Sequence, residues 1–327
     1  MKGSVRLLAV LLIGLIAAAG LGAQAYPNKA IQIVVPAGAG GDTDVNCRIV
    51  GKYLEKELGQ PIVVVNVNGA GGSLGTRKVK DSAADGYTVL FYHPSMFLNK
   101  IMGLVDYSFN DFENAGIAVM DETNIFVVNA SSPYKTLADV IAAAKANPGK
   151  VKFATETGGF THLQILAFQA ETGAQFNIID VGAAAQKTVA LLGRQVEMIG
   201  ISYGIIKDYV TSGKFRVVGV MSDKRNPLIP EVPTFKEQGV NESFPKFFYY
   251  LFPKGTPKDI VARFGAAIAK VSADPALKAE LNKFMVNPLY MAPADAIKYM
   301  NAQEATYIRY KDLILNAKTT KEEVVKQ

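Results

Sequence analysis

The chain has 327 residues, 49% of them hydrophobic, with a formal net charge of +6 and a single cysteine. That length carries two domains of ordinary size, and one cysteine excludes an intramolecular disulfide. Lysines are scattered, with no basic run and no aromatic-basic platform, which argues against a nucleic-acid partner.

The first residues read as an export signal. Lys2 and Arg6 precede an uncharged apolar run from Leu7 to Gly22, closed by Ala23-Gln24-Ala25 before Tyr26. Residues 1–25 are therefore expected to be a signal peptide cleaved after Ala25, leaving a soluble periplasmic or otherwise extracytoplasmic chain. The run is short for a membrane span and lacks a basic flank on its far side. Losing Lys2 and Arg6 lowers the net charge to +4, a bias compatible with anionic small molecules.

Ile31 to Val35 is a β-branched strand ended by Pro36, and Val45, Ile49, Val50, Tyr53, Leu54 and Leu58 recur at helical spacing until Gly59. The loop between them, Ala37-Gly38-Ala39-Gly40-Gly41, carries almost no side chain and so offers backbone. Asp42 or Asp44 can cap the helix. Its first-turn N–H groups lack intrahelical partners, and roughly half a positive charge sits there, so a carboxylate or phosphate is accommodated. Cys47 falls on an apolar position of this helix and reads as a small buried hydrophobe.

A second βα unit follows: the strand Ile62 to Val65, the glycine-rich stretch from Asn66 to Gly75, and a helix reaching about Lys80. In a parallel sheet both loops lie at the carboxyl ends of the strands and are expected to face one cleft. Thr88 to Tyr92 is the third strand, topped by His93-Pro94-Ser95. Ile125 to Asn129 is a further strand, and 133–146 a helix ended by Asn147-Pro148-Gly149. The alternation then restarts: strand 151–154, the loop Thr155 to His162, a helix to Gly173, strand 176–181, a helix to Gly193, strand 196–201 topped by Ser202-Tyr203-Gly204, and strand 216–221. Two helical stretches, 257–271 and 294–315, follow the strand 247–252 and are split by Asp274-Pro275; the polar end, 318–327, is expected to fray.

The predicted fold class is α/β, a two-domain hinged solute-binding protein of type II, or Venus-flytrap, architecture. Residues 125–247 form an inserted second domain, 26–124 and 248–327 form the first, and the segments 125–129 and 247–252 cross between them. Ligand is expected in the cleft, with closure as the signal.

The motifs resemble those of the tripartite tricarboxylate transporter receptor family, also called Bug receptors. The resemblance rests on Tyr26-Pro27-Asn28-Lys29, the loop from Pro36 to Asp44 followed by Arg48, Leu58-Gly59-Gln60-Pro61, Gly69-Ala70-Gly71-Gly72 and Asp85-Gly86-Tyr87-Thr88. It continues through Gly158 to His162, Leu191 to Val196, Val232-Pro233-Thr234 with Gly239, and Pro253 to Pro257, covering nearly the whole mature chain. It implies a periplasmic receptor, not an enzyme, that captures a small organic carboxylate and passes it to a two-subunit membrane permease, with no cofactor or metal. It also implies that the carboxylate is held by backbone N–H groups, small hydroxyls and ordered water. Three positions depart from the family pattern: Ala37 replaces an aromatic residue, Asn68 a proline, and Asp180-Val181-Gly182-Ala183 a Pro-Tyr-Lys-Gly run. Asp180 either recognises an ammonium or hydroxyl of the ligand or caps the following helix.

Gly38, Ala39, Gly40 and Gly41 are expected to donate backbone N–H groups to the ligand, with Asp44 holding the loop. Ser73 and Ser95 are candidate hydroxyl donors from the same domain. Thr155, Phe160, Thr161 and His162 are the candidates from the second, His162 being either a contact or structural. Tyr203 sits at a strand top, facing the cleft or packing near the hinge. A monomer is expected.

Two other functions remain open. Gly71-Gly72-Ser73-Leu74-Gly75 satisfies the nucleophile-elbow pattern of serine esterases, with His162 as the only base, yet several residues separate Val65 from Ser73, unlike a sharp elbow. A ligand sensor for a two-component kinase would use the same cleft as a transport receptor. Dinucleotide fingerprints are incomplete, with Thr43 and Leu74 where glycine belongs.

Overall fold

The computed structural model describes residues 26–317 and the backbone of 320–321. The expected signal segment, 1–25, and most of the expected frayed end lie outside the described residues.

Two six-stranded sheets organise the chain. In the first, β1 (Ile31–Val35) lies between β2 (Ile62–Asn66) and β3 (Thr88–Tyr92), all parallel, with Ile33 opposite Val64 and Val89. The helices α1 (Asp42–Leu58) and α2 (Ser73–Lys80) make the right-handed crossovers expected of such strands. Gly59 ends α1 in the left-handed conformation, φ 68°, where glycine pays no Cβ penalty. After α3 (Ser95–Ile101), β4 (Phe112–Asp121) pairs antiparallel with β10 (Lys246–Pro253), which itself lies beside β3.

Only residues 122 and 123 separate β4 from β5 (Asn124–Asn129), which belongs to the second sheet. There α4 (Leu137–Ala146), started by a Thr136–Asp139 capping box, leads to β6 (Lys152–Thr155), α5 (Phe160–Thr172), β7 (Asn177–Asp180), α6 (Ala184–Leu192), β8 (Met198–Ser202), α7 (Tyr203–Thr211) and β9 (Phe215–Val220). Strands β7, β6 and β8 run parallel, and β5 runs antiparallel between β8 and β9. The chain returns to the first sheet at β10, so the two passages between sheets are residues 122–123 and 221–245. Segments 125–129 and 247–252, expected to cross, are instead strands inside one sheet each, and the actual passages flank them.

Helices α8 (Lys258–Ser272) and α9 (Pro275–Asn282), strand β11 (Asn287–Met291) and helix α10 (Pro293–Ile308) complete the first half. The end then departs from the expected layout. After α11 (Lys311–Asn316), β12 (Thr320–Lys321) pairs with β7, so the last strand extends the second sheet, whose open edge has unpaired backbone groups to offer.

β10 is the structural spine. Phe247, Phe248, Tyr249, Tyr250, Leu251 and Phe252 are all fully buried, and Phe248 stacks on Phe91 at 5.5 Å. Each such side chain contributes about 1.5–3 kcal/mol when withdrawn from water. At the head of this apolar run stands Lys246, opposite Asp121 at the end of β4. Cys47 is buried in the core behind β1, where burial pushes its thiol well up, as suits an inert residue.

Candidate functional site

A cavity of about 60 Å³ lies where the carboxyl ends of β1, β3, β6 and β7 converge between the two sheets. On a scale where one water needs roughly 10–15 Å³, it admits only a ligand of a few heavy atoms. From the first half it is lined by Pro36, Ala37, Gly38, Gly41, Asp42 and Thr43, and by Tyr92, His93 and Ser95. The second half supplies Glu156, Gly159, Phe160 and Thr161 from the β6–α5 loop, and Ala183, Ala184 and Lys187 from α6; Lys246 closes the hinge side.

Three helices, α1, α5 and α6, begin at this cavity. Their N-cap residues, Gly41, Gly159 and Ala183, supply no side-chain hydrogen bond to the first turn. The orphan N–H groups and the positive helix ends are therefore directed at whatever fills the space.

The loop before α1 is held from behind. Asp44 accepts from Gly40 N at 2.9 Å, from Arg48 Nε at 2.9 Å and from Asn66 Nδ2 at 3.0 Å. Burial acts to raise its carboxyl, and the Arg48 and Gly40 hydrogen bonds overcome this and hold it low. Gly40 adopts φ 77°, with its N–H turned to Asp44 and its Cα open to solvent, so it shapes the loop rather than reaching the cavity. Ala39 is exposed and likewise lies off the cavity; Gly38 and Gly41 line it.

The second glycine-rich stretch does not reach the cavity, contrary to the expectation that both loops share it. Tyr92 stands between, its hydroxyl donating to Gly71 O at 2.7 Å, and a Cβ on Gly72 would sit 1.9 Å from that hydroxyl. Ser73, the first residue of α2, is buried off the cavity, and no hydrogen bond joins it to His162. His162 is buried with its Nδ1 accepting from Gly158 N at 3.3 Å, and burial pulls it down to about 4. An esterase dyad of these two has no support in this geometry.

Ser95 lines the cavity, with its buried Oγ lacking a hydrogen-bond partner; the neighbouring Tyr92 hydroxyl is committed to Gly71. Phe160 and Thr161 also line it. Thr155 lies beneath, its hydroxyl 2.7 Å from that of Thr161. Asp180 is off the cavity and accepts from Thr157 N at 3.2 Å and Gly182 N at 3.1 Å, so it ties two loops together rather than meeting ligand or capping α6. Tyr203 packs in the core of the second sheet near Val232 and Ile206.

Sequence reasoning missed the charged members. Lys246 forms an ion pair with Asp42, both largely shielded from solvent. Burial acts to raise Asp42, and the adjacent ammonium prevails and keeps it below the usual range. Lys187 Nζ donates to Gly200 O at 2.7 Å and Thr161 Oγ1 at 3.3 Å, and burial, aided by Lys246, lowers it to about 8. Burial and Lys246 also hold His93 well below its ordinary value, so its ring is neutral. Its Nδ1 accepts from Ser95 N at 3.3 Å, which puts the ring hydrogen on Nε2. Burial pushes Glu156 up against the pull of Lys187. Among the described residues, no cluster of three His, Cys, Asp or Glu could hold a metal, and no helix is long and apolar enough to cross a membrane.

Two α/β halves joined by two passages, with a small polar cavity between them, define a two-domain solute-binding protein. Residues 47–317 match the tripartite tricarboxylate transporter family receptor, and the chain belongs to that family. It is 37% identical over 266 residues to Protein BugT of Bordetella pertussis, covering 78% of this chain and 81% of BugT. A UPF0065 protein in the gbd 5′ region of Cupriavidus necator is 33% identical over 285 residues, 82% of each. The structure of the periplasmic binding protein BugD superposes with a TM-score of 0.82 at 26% identity, covering 91% of this chain and all of BugD. An R. palustris protein solved with adipate shares the fold, with a TM-score of 0.84 at 24% identity, over 88% of this chain and 98% of that one. These are periplasmic receptors rather than enzymes, and the family places this chain in the periplasm.

Proposed function

We propose that the protein is an extracytoplasmic receptor that encloses a small organic carboxylate between its domains and delivers it to a two-subunit permease. The supporting observation is the convergence of three helix starts without side-chain caps, beside the Lys187 ammonium, on one enclosed cavity. Gly38, Gly41, Ser95 and Thr161 then serve as donors, with His93 Nε2–H as a neutral one. In this reading the chain is exported by a cleaved signal peptide, acts as a monomer, and has its domain boundaries at the passages 122–123 and 221–245.

Micromolar affinity needs only about 8 kcal/mol net, which a few charge-assisted hydrogen bonds in a desolvated site supply. A thermal-shift screen of small mono- and dicarboxylates tests the reading, because a ligand bound only by the native state raises the melting temperature. At ligand a hundredfold above Kd the native state gains about 2.7 kcal/mol. Amines or sugars raising the melting temperature while every carboxylate leaves it unchanged would sink the proposal.

A further inference from the structure

The cavity is bipolar. Its charged side chains are two acids, Asp42 and Glu156, and two bases, Lys187 and Lys246. Asp42 and Lys246 neutralise one another in their ion pair. Lys187 is held by Gly200 O and Thr161, while the Glu156 carboxylate has no hydrogen-bond donor from the protein. The helix starts divide in the same way. Asp42 is the first residue of α1, and Glu156 lies just ahead of α5, within 3.6 Å of where a Cβ on Gly159 would stand. The start of α6 carries no acid, only Ala183 and Ala184, with Lys187 one turn further on. One end of the cavity is thus positive and the other presents a carboxylate in need of a donor. The charged groups facing Glu156 are Lys187, Lys246 and Asp180, and none of them hydrogen-bonds it.

An enclosed site whose side chains sum to zero leaves charge uncompensated when a simple anion enters, which is costly away from water. A neutral ligand with separated charges leaves none. We propose that Glu156 receives an ammonium group of the ligand, so that the natural ligand is a small zwitterionic amino acid whose carboxylate lies at the α6 start beside Lys187. The inference rests on the carboxylate-receptor reading above and narrows its substrate class. The Glu156 carboxylate is the specificity-determining group: it selects the amino compound over the acid of the same skeleton bearing hydrogen or hydroxyl. With Glu156 ionised and the ligand neutral overall, binding takes up no proton.

Isothermal titration calorimetry of the chain purified from periplasm, with two matched triplets, tests this: succinate, malate and aspartate; propanoate, lactate and alanine. In at least one triplet the amino member is expected to bind at least tenfold tighter than both others, with an enthalpy at pH 7 independent of the buffer's ionisation heat. Glu156→Gln, close to isosteric, is expected to weaken the amino acid at least tenfold and to improve the unsubstituted acid, from which it removes a repelling charge. The proposal is overturned if the hydroxy or unsubstituted acid binds as tightly as the amino acid in both triplets. It is equally overturned if the amino preference survives in Glu156→Gln. Either result leaves the carboxylate-receptor reading standing, whereas no binding by any of the six removes both. The comparison of triplets in the unaltered protein holds whether or not the variant folds.

Discussion

Lys187 shows how function and stability oppose one another at a single residue. Its ammonium is buried, and burial together with Lys246 lowers it from 10.5 to about 8. The sign of the linkage follows directly. Between pH 8 and 10.5 the unfolded chain keeps this proton and the folded one has lost it, so the stability contribution rises with pH across that window. The full difference is on the order of 3 kcal/mol, and below pH 8 the folded apo protein bears that cost. A bound carboxylate requires the charged form, so its affinity should fall as pH rises through 8. Lys187→Met is therefore expected to raise the melting temperature of the apo protein near pH 7, flatten its pH dependence above 8, and weaken carboxylate binding at least tenfold. Thermal melts and titrations at pH 6.5 and 9 check all three. A less stable Lys187→Met protein would mean that the bonds to Gly200 and Thr161 outweigh the burial of charge.

At the scale of elements, the tightest approach between the halves is made by two turns outside the cavity. A Cβ on Gly71, between β2 and α2, would stand 2.9 Å from Gly158 C, Thr157 O and Asn99 Nδ2. Asn99, on α3, donates to Gly158 O at 3.2 Å across the same seam. Both glycines have positive φ, 62° and 77°, so an alanine at either is strained as well as crowded. Gly149 has a similar φ of 71° with nothing near its Cα, which separates strain from crowding. Gly71→Ala is expected to lower ligand affinity by roughly 5- to 150-fold, the equivalent of an overpacking cost of about 1–3 kcal/mol. Gly149→Ala should lower stability by about 1 kcal/mol and leave affinity unchanged. Equal affinities in the two variants would show that the Gly71 seam plays no part in binding. The strand–glycine–helix units were legible because β-branched runs and glycine stops are local signals, as at Ile31 to Val35 and Gly59. β4 was not, since Gly116 interrupts its pattern and its partner β10 lies more than a hundred residues away. The charged cavity wall was hidden for the same reason. Asp42, Glu156, Lys187 and Lys246 sit on four separate segments with no shared motif, and only the topology brings them together. Tyr203 shows the converse: its place at a strand top was readable, but the turning of its ring into the second core depends on packing that no local pattern encodes.

At the scale of the whole molecule, the two passages between sheets lie side by side, because Asp121 at the end of β4 is paired with Lys246 at the start of β10. Asp121 fastens the first passage by accepting from Thr123 N at 2.8 Å and Thr123 Oγ1 at 2.7 Å, while Lys246 reaches Asp42 in the cavity wall. The hinge and the ligand site thus share one polar cluster, so the angle between the halves and the shape of the cavity are coupled. A second contact bears on the same angle. Gly204, in the first turn of α7, approaches the turn after α9 so closely that a Cβ would lie 2.0 Å from Phe284 O. That oxygen is backbone and cannot swing aside, so Gly204→Ala must part the halves on that side and disfavour the arrangement seen with the cavity enclosed. Apparent affinity is the intrinsic affinity scaled by the fraction of molecules able to adopt the bound arrangement. An overlap costing about 2 kcal/mol should therefore weaken binding about thirtyfold. Small-angle scattering is expected to show the unaltered protein contracting on addition of ligand and the variant contracting only at correspondingly higher concentration. Contraction of both at the same ligand concentration would mean that the Gly204–Phe284 approach is absent from the bound form, and that the halves pivot elsewhere.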